Sequence, residues 1–484
     1  MESTVYILQE DQELSKDTTD LKLIVLAGMG GTLIEWYDFF VYGILATILA
    51  PKFYKADTPE GALIIWLSAF AVGYVVKPIG ALLFGHLGDK YGRKVSFIAT
   101  LSIMGLATFL MGCLPTYDHI GVAAGYILFV LRLIQGIAHG GEYGAAAVYI
   151  GEHSPKGKRG YYTGFIQFTP SLGMALSLLV TIICNLAMGQ EQFSNWGWRI
   201  PFLLSIFLVA VSLYIRFKLD ESPIYEKAVE EGRHSKTPLM NTFCKWENLK
   251  RILTAFFGCC VGIGVAFYTI SFYALFYLQT TLHYDNVAAW SVLCAAVGLA
   301  TPFGFYFAHL SDIYGRKRFM VIGLALSVVS WYPIFVALRA LGPYEDPTAA
   351  ILVKSASYNP YLSSFLIFLT VAFCAIAYGP IGAFMVELFP TPVRYTSLSV
   401  PYHTAGVISG ATPLIAVSLT AKTGNLYAGL WFPLIMVTFS VLFIVFFSPE
   451  TYLVDIEELG NSVKPVNQLF TSDFTETTET IIDE

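Results

Sequence analysis

Long apolar stretches alternate with short polar segments along nearly the whole chain. Twelve of these stretches are about 20 residues or longer, the length at which an α-helix crosses the hydrocarbon core of a bilayer. Backbone groups in lipid must satisfy their hydrogen bonds internally, and the stretches are too long for barrel strands, so we predict helices. The predicted spans are 22–48, 61–84, 95–114, 120–149, 161–188, 200–218, 252–279, 287–308, 319–341, 361–386, 396–420 and 427–447.

A short charged motif occurs twice between apolar stretches. The sequence Asp-Lys-Tyr-Gly-Arg-Lys begins at Asp89, and Asp-Ile-Tyr-Gly-Arg-Lys begins at Asp312, 223 residues later. A second pattern, Glu-x-x-Pro-x-x-x-Arg, begins at Glu152 and again at Glu387, 235 residues later. Two repeats at nearly equal offsets predict two homologous halves with six spans each.

Composition supports a membrane protein. Hydrophobic residues make up 55% of the chain and charged residues only 13%, which is too apolar for a soluble protein with a polar surface. The sequence contains no Gly-rich phosphate loop, nucleophile elbow or metal-ligand spacing, and its seven cysteines do not form a disulfide framework. We therefore expect neither an enzyme nor a protein that binds a cofactor, a metal or nucleic acid.

Lysine and arginine are distributed unevenly between the two sides of the predicted membrane protein. Of 29 such residues, 21 fall in the tails, the central linker, the loops after even-numbered spans or the span ends that adjoin them, six fall on the other side, and Lys77 and Arg132 lie deep within spans. The positive-inside rule therefore predicts that both termini are cytoplasmic. The first 20 residues lack a basic region and a cleavage site, so we expect span one to be retained.

The halves, the linker and the tails give a predicted domain division. Both signs of charge in the linker indicate a short surface helix, and the Thr/Asp/Glu bias of the C-terminal tail indicates disorder. The predicted segments are a cytoplasmic tail over 1–21, a six-helix half over 22–218, a cytoplasmic linker over 219–250, a second six-helix half over 251–448 and a cytoplasmic tail over 449–484.

Several motifs carry a resemblance to a known family. They are Gly85-x-x-x-Asp89-x-x-Gly92-Arg93-Lys94, Glu35-Trp-Tyr-Asp38-Phe-Phe, Arg132-x-x-Gln135-Gly136-x-x-His139-Gly140-Gly141-Glu142, Trp198-Arg199-Ile-Pro201-Phe and Glu387-Leu-Phe-Pro390-Thr-x-Val-Arg394-Tyr-Thr. From about residue 22 to about 458 the chain resembles the major facilitator superfamily and, within it, the metabolite:proton symporter family. That family includes permeases for shikimate, α-ketoglutarate, citrate, dicarboxylates, proline and betaine. The resemblance implies two halves that rock around a central cavity, and Ala308 departs from the pattern where the first motif copy has Gly85.

The loop motifs have a physical interpretation as a cytoplasmic gate. An acid such as Asp89 or Asp312 can accept hydrogen bonds from a helix N-terminus and pair with an arginine, so it can hold two helices together when that side is closed. The alternative is that the basic residues only anchor the helices at the headgroups. The predicted gate residues are Gly85, Asp89, Gly92, Arg93, Asp312, Gly315, Arg316, Glu152, Arg159, Glu387 and Arg394.

Few ionisable residues lie deep inside the spans, and most of these belong to the first half. Span one carries Glu35 and Asp38 on one helix face. Span four carries Arg132, followed by Gln135 and His139 at helical spacing. Each buried charge costs on the order of several kcal/mol in hydrocarbon unless it is paired, hydrated or functional. The two polar faces predict an ion pair between Asp38 and Arg132.

This pair predicts a proton switch. Protonation of Asp38 would release Arg132 to bind a substrate carboxylate, and loss of the proton would restore the pair. The resemblance implies the same coupling, because superfamily members with an acid in span one and an arginine in span four look like proton-coupled carriers. The alternative is a permanent structural pair. Glu35 and Glu142, which lie nearer span ends, are further candidates for carrying protons.

The second half offers aromatic residues in place of charges, so we predict a shaped and mostly neutral wall. His139 and His403 each have an alternative interpretation as packing residues, and Lys77 is expected to snorkel toward the surface. The spacing of Gly136 and Gly140 predicts a close contact between helices. The predicted substrate-binding residues are Arg132, Gln135, Gln167, Tyr273, Tyr378 and His403.

The sequence therefore predicts a secondary active importer, multi-pass in the cell membrane, that couples proton entry to uptake of a small organic metabolite, most simply a carboxylate. Its partners would be the substrate, protons and the lipid bilayer, and the functional unit would be a monomer. An exchanger or exporter of the same fold is the alternative, and a non-transporting nutrient sensor is a second one.

Overall fold

Helices form nearly all of the described chain. The computed structural model describes residues 29–217 and 246–456, apart from Gly92, Glu142, 350–351, 391–393 and Asp455. No β-strand occurs within that range. The predicted tail over 1–21, most of the linker over 219–250 and most of the tail over 449–484 lie outside it.

Twelve helical spans run through this range, and we number them α1 to α12. In the first half they are α1 (Met29–Ile44 and Ala46–Phe53), α2 (Pro59–Val75 and Lys77–Tyr91), α3 (Arg93–Cys113), α4 (Ala123–His139 and Tyr143–His153), α5 (Arg159–Met188) and α6 (Gln190–Gly197 and Arg199–Phe217). In the second half they are α7 (Trp246–Thr281), α8 (Asn286–Tyr314), α9 (Arg316–Ala340), α10 (Pro360–Tyr378 and Ile381–Leu388), α11 (Arg394–Gly410 and Thr412–Thr423) and α12 (Trp431–Phe447).

The length and apolarity of these helices match membrane spans. Eight are long and apolar enough to cross a bilayer by themselves, α1 and α6 qualify as pairs bent by 64° and 59°, and α3 and α4 contain shorter apolar helices. Large apolar side chains cover the outer surface, including Phe207, Val329 and Phe446. The predicted all-α fold of twelve transmembrane helices in two six-helix halves is confirmed.

Breaks within the spans coincide with residues that interrupt helical hydrogen bonding. The break in α2 falls at Val76, two residues before Pro78, and the break in α10 falls at Gly379 and Pro380. Proline removes one backbone donor and crowds the preceding turn, which explains both positions. The helix α7 contains three segments of wide π-type turns, Thr254–Cys260, Thr269–Tyr273 and Tyr277–Thr281.

Glycine allows α2 and α4 to pack backbone to backbone. A Cβ atom on Gly136 would collide with the carbonyl oxygen of Gly73, and one on Gly140 would collide with the carbonyl oxygen of Lys77. A Cβ on Gly80 would likewise meet the carbonyl of Ile137. The predicted packing role of Gly136 and Gly140 is confirmed, and the contact brings α2 close to the polar face of α4.

Several pairs of helices join the two halves within the described chain: α5 runs along α8, α2 and α4 pack against α11, α4 and α5 contact α10, and α1 faces α7. The second half begins earlier than predicted, because α7 starts at Trp246, inside the range assigned to the linker. The first turns of α7 are amphipathic and carry Glu247, Lys250 and Arg251, so hydropathy alone placed its start too late.

Candidate transport site

An aspartate of the second half caps a helix of the first half. Asp312, near the end of α8, accepts hydrogen bonds from the backbone N–H groups of Gly160 at 2.7 Å and Tyr161 at 2.8 Å. These are two of the free amides at the start of α5, where the helix dipole also favours a negative charge. We call the helix ends around Asp312 the motif side, and the other ends the opposite side.

Arg316 gathers two carboxylates on the motif side. Its guanidinium lies 2.6 Å from Asp312 and 3.0 Å from Glu387, and all three side chains are buried. Glu387 also accepts a hydrogen bond from the hydroxyl of Thr451 at 2.8 Å and lies 3.9 Å from Arg159 of the first half. A buried network of this kind is stable only while its members remain together.

A second ion pair crosses between the halves nearby. Arg394 at the start of α11 donates to Glu152 of α4 at 2.6 Å. The segment after α12 reinforces this region, because Arg159 donates to the carbonyl of Val454 at 3.0 Å and Arg394 donates to the carbonyl of Ile456 at 3.2 Å. Contacts in the described part of the chain therefore close the motif side.

The structure thus brings together most of the predicted gate residues of the second motif copy. Gly315 takes a positive φ of 98° at the turn between α8 and α9, and Arg316 and Lys317 donate their backbone N–H groups there to Glu450. Gly92 and Glu142 lie outside the described residues, as do the side chains of Asp89 and Arg93 and the surroundings of Gly85. The gate role of Gly85, Asp89, Gly92 and Arg93 and the proton-carrying role of Glu142 stay predictions.

Contacts also join the halves on the opposite side. The hydroxyl of Thr47 donates to Gln279 at 3.4 Å, and the indole N–H of Trp290 donates to the carbonyl of Ile44 at 3.4 Å. Nearer the centre, the hydroxyls of Tyr74 in α2 and Tyr268 in α7 share a hydrogen bond. Both sides are therefore closed around the centre of the molecule.

An aromatic layer separates the centre from the motif side. The rings of Tyr143 in α4 and Tyr402 in α11 stack with their centroids 3.7 Å apart. Gln167 of α5 donates to the hydroxyl of Tyr143 at 2.9 Å, and Tyr378 of α10 lies beside Tyr402. Two of the predicted substrate-binding residues, Gln167 and Tyr378, thus contribute to this layer.

The predicted ion pair between Asp38 and Arg132 is not formed. Both side chains are completely buried, and the Asp38 carboxylate lies near Thr108 of α3 and Ser205 of α6 within the first half. Within the described range the guanidinium of Arg132 donates to Oε1 of Gln135 instead. Gln135 in turn donates to Thr108 at 2.9 Å and to the backbone carbonyl of Asp38 at 3.2 Å. The pair is absent because residues three apart on one helix are neighbours, so the side chain of Gln135 contacts Arg132 on the same helix, α4.

Asp38 and Arg132 are both left with unsatisfied polar atoms. The carboxylate oxygens of Asp38 lie beside the hydroxyls of Thr108 and Ser205 without a full hydrogen bond, and no cation of the described chain pairs with them. The Nε and Nη2 atoms of Arg132 also have no hydrogen-bond partner there. Such groups are rare in protein interiors and point to a site that another ligand or a proton completes.

Aromatic rings surround Arg132. Its guanidinium carbon lies 3.8 Å from the centroid of the Phe39 ring, 4.6 Å from that of Tyr42 and 4.7 Å from that of Phe70. Gly73 lies against the same side chain, since a Cβ there would be 2.9 Å from Nε. Cation–π contacts of this kind hold a guanidinium in place without neutralising it.

Glu35 and His139 form a buried pair that the sequence did not indicate. Oε1 of Glu35 lies 2.7 Å from Nδ1 of His139, and both residues are about 95% buried or more. The ring of His139 also stacks on Phe39, with centroids 5.0 Å apart. One signal was available, because His139 follows Arg132 by two helical turns and Glu35 precedes Asp38 by one, so the two polar faces continue in the same direction.

Lys77 does not snorkel toward either surface, contrary to expectation. It is 3% exposed, and its ammonium lies 3.9 Å from the ring centroid of Tyr74 and 4.2 Å from that of Phe39. The segment from Lys77 to Tyr91 has 15 residues, which at about 1.5 Å per residue places the end of α2 roughly 20 Å away. A lysine side chain is too short to cover that distance.

The remaining substrate-binding predictions divide between the centre and its surroundings. His403 of α11 is buried near Lys77 and His139, and its Nε2 has no hydrogen-bond partner in the described chain. Tyr273 is not at the centre, because its ring stacks on Phe335 of α9 within the second half.

Comparisons with known proteins identify the family. Residues 23–238 and 227–462 match the family model described as "Sugar (and other) transporter". The chain belongs to the major facilitator superfamily. It is therefore a multi-pass membrane transporter and not an enzyme, which confirms the resemblance seen in its motifs.

Related transporters share most of the length of this one. The inner membrane metabolite transport protein YhjE of Escherichia coli is 32% identical over 447 residues, which cover 89% of this chain and 95% of that protein. The glycine betaine/proline/ectoine/pipecolic acid transporter OusA of Dickeya dadantii is 29% identical over 446 residues, with 90% and 85% covered.

The fold matches solved transporter structures. The proton:xylose symporter XylE of Escherichia coli, bound to 6-bromo-6-deoxy-D-glucose, superposes with a TM-score of 0.69 at 18% identity. The match covers 92% of this chain and 99% of the XylE chain. This similarity establishes the two-halved architecture.

Proposed function

We propose that this transporter is a proton-coupled symporter that imports a small organic carboxylate by alternating access. The observation that carries the proposal is the arrangement of Asp38, Arg132 and Gln135 at the centre. Asp38 is buried without a cation, Arg132 has unpartnered N–H groups, and Gln135 holds the two apart.

Asp38 is the proton site in this account. Burying a charged carboxylate without a partner costs on the order of several kcal/mol, and a bound proton removes that cost. The hydroxyls of Thr108 and Ser205 lie beside its oxygens and can accept a hydrogen bond from the protonated acid. When the proton leaves, the guanidinium of Arg132 compensates the negative charge of Asp38, once Gln135 releases it.

Arg132 is the primary substrate contact. Its Nη1 is engaged with Gln135, while Nε and Nη2 remain available within the described structure. These two adjacent donors match the two oxygens of a carboxylate, which a guanidinium binds as a fork. Proton and substrate are then coupled because Asp38 and the substrate carboxylate compete for the same arginine.

The contacts on the two sides supply the alternating access. Opening toward the motif side requires the bonds from Asp312 to α5 and from Arg394 to Glu152 to break. Opening toward the opposite side requires the bonds of Thr47 with Gln279 and of Tyr74 with Tyr268 to break. Each open state keeps one set of contacts and loses the other. The closed structure keeps both sets, so it corresponds to an intermediate between the two open states.

The motif side faces the cytoplasm in this proposal, since the excess of lysine and arginine lies there, and both termini are then cytoplasmic. The working unit is one chain in the plasma membrane, because the proposed site is built from residues of a single chain. Protons and one small metabolite are its soluble partners.

Uptake by proteoliposomes tests the proposal. The purified chain is reconstituted and offered carboxylates, sugars and zwitterions, each with and without an inward proton gradient. We expect a carboxylate to accumulate only with the gradient. Efflux driven by the gradient would favour an exporter, uptake that requires internal substrate would favour an exchanger, and binding without transport would favour a sensor.

A further inference from the structure

A second buried cation lies close to Arg132. The ammonium of Lys77 sits among Trp36, Phe39 and Tyr74, which we call the lysine cage, at 5.7, 4.2 and 3.9 Å from their ring centroids. Within the described chain it makes neither a hydrogen bond nor a salt bridge. Lys77 is 97% buried, so this ammonium is largely removed from water and makes no ion pair within the described chain.

The two cations share one ring. Phe39 contacts both, with the guanidinium carbon of Arg132 at 3.8 Å from its centroid and the ammonium of Lys77 at 4.2 Å. Because both distances run to the same point, the two charged centres are at most about 8 Å apart. Two like charges this close in a buried site repel each other, and an anion that contacts both offsets this repulsion.

We propose that Lys77 is a second cationic contact for the substrate, and that the paired cations select a net anion over a zwitterion. The proposal rests on the proposed function, since it concerns the same central site. It adds Lys77 to the substrate contacts and specifies the net charge of the substrate, which is an organic anion whose carboxylate groups contact both Lys77 and Arg132.

The surrounding charges leave room for an anion. Glu35 and Arg132 are the charged groups that act on Lys77, and Glu35 is already engaged with His139. His403 also faces Lys77, and Asp38 is neutral in the proton-loaded state proposed above. The site then holds the charges of Lys77 and Arg132 against that of Glu35, so an anion completes the balance.

The lysine cage explains why a zwitterion is disfavoured. Aromatic rings are the groups that recognise a quaternary or secondary ammonium. Here Trp36, Phe39 and Tyr74 already surround the protein's own ammonium. An ammonium-bearing ligand would have to displace Lys77 or lie beside two cations, and both alternatives weaken its binding.

Equilibrium binding tests this selectivity without a proton gradient. The full-length chain in lipid nanodiscs is titrated with radiolabelled lactate, succinate, citrate, glycine betaine and proline. We expect at least one of the three anions to bind and the two zwitterions not to bind. Binding of glycine betaine or proline in preference to every anion would overturn the proposal.

Substitutions of Lys77 test the residue itself. Lys77→Met removes the charge and keeps an unbranched stem, and we expect it to weaken binding of the anion about ten- to hundredfold and to allow glycine betaine into the emptied cage. Lys77→Arg keeps the charge and should bind the anion more tightly than Lys77→Met. Lys250→Met is the matched control, because Lys250 also contacts an aromatic ring, Trp246, but at the half-exposed start of α7.

The outcomes separate the two proposals. Unchanged anion affinity in Lys77→Met, or equal losses in Lys77→Met and Lys77→Arg in folded protein, would overturn the role of Lys77 and leave proton-coupled uptake standing. Anion binding that depends on Lys77 would support the role of Lys77. Uptake that is the same with and without the proton gradient would contradict proton coupling. The elution profile of each variant establishes that it is folded.

Discussion

Oε1 of Glu35 lies 2.7 Å from Nδ1 of His139, and this contact joins α1 to α4 in the buried centre of the first half. Asp38 and Gln135 lie one turn further along the same two helices and are joined there by a bond from the Gln135 side chain to the Asp38 backbone. The polar faces of α1 and α4 therefore meet at two levels. Any change in the spacing of these helices affects both.

The Glu35–His139 pair should behave as one unit in unfolding. Glu35→Gln and His139→Gln each remove a favourable contact and leave a buried polar group less well satisfied, so we expect each to lower the free energy of unfolding by about 1–3 kcal/mol. The double variant should lose clearly less than the two single losses combined, by about 0.5 kcal/mol or more. Chemical unfolding in mixed micelles measures all four proteins, and strictly additive losses would show that the pair is not coupled.

Close packing of α2 on α4 should support the site. A Cβ on Gly136 would meet the backbone of Gly73, which cannot move aside as a flexible side chain can, so Gly136→Ala should destabilise the protein by about 1–3 kcal/mol. It should also weaken substrate binding, because Gly73 touches Arg132.

A matched glycine provides the control for that substitution. Gly298 lies within α8 and has no atom within 4 Å of the position a Cβ would take. Gly298→Ala should therefore be neutral or slightly stabilising, since alanine is the better helix former. Thermal melting of both variants in detergent decides the matter, and equal melting temperatures would contradict the packing argument.

The cap that Asp312 places on α5 should stabilise the closed motif side. Asp312→Asn weakens its bonds to Gly160, Tyr161 and Arg316, so we expect the two halves to separate there more often. The rate of alkylation of a cysteine introduced by Ser399→Cys reports this separation, because Ser399 packs against Gly144 across the interface.

The control for that measurement is another aspartate. Asp346 is exposed in the loop after α9, on the opposite side, and Asp346→Asn removes one negative charge without touching the interface. We expect the alkylation rate, measured above that of the parent protein, to rise severalfold with Asp312→Asn and to stay unchanged with Asp346→Asn. Equal rates in the two variants would argue against a gate at Asp312.

Hydropathy was sufficient to predict the twelve spans, because the bilayer requires long apolar helices and the sequence contains them at regular intervals. The repeated motif was likewise sufficient to predict that its acid, here Asp312, accepts from a helix N-terminus and pairs with an arginine, but not that Arg316 also pairs with Glu387. The ends of the spans were less exact, and the start of α7 at Trp246 was missed because amphipathic turns lower the apolar signal.

Side-chain partners at the centre were harder to predict. Spacing placed Asp38 and Arg132 on facing helices, but it could not show that Gln135, on the same helix as Arg132, would reach the guanidinium first. The depth of Lys77 was missed because the helix after it continues to Tyr91, far beyond the expected surface. Such outcomes depend on helix length and rotation, which a local pattern does not contain.

Arg132→Lys should separate charge from geometry in substrate binding. Lysine keeps the positive charge but has no planar fork, and a charge-assisted bidentate contact contributes roughly 1.5–3 kcal/mol. We expect the half-saturation concentration for a carboxylate to rise about ten- to hundredfold, with little change in the amount of folded protein. Uptake kinetics in proteoliposomes measure this, and a normal half-saturation concentration would leave Arg132 with a structural role only.

Asp38→Asn tests proton coupling most directly, since it keeps the size and hydrogen-bonding capacity of the side chain and removes its titratable proton. In proteoliposomes with an inward proton gradient, we expect accumulation of the carboxylate substrate to disappear. Exchange of external for internal substrate should continue, because it needs binding and rocking of the halves but no net release of a proton. Accumulation against a concentration gradient in the Asp38→Asn variant would contradict the account and would indicate that Glu35 or Glu142 carries the proton.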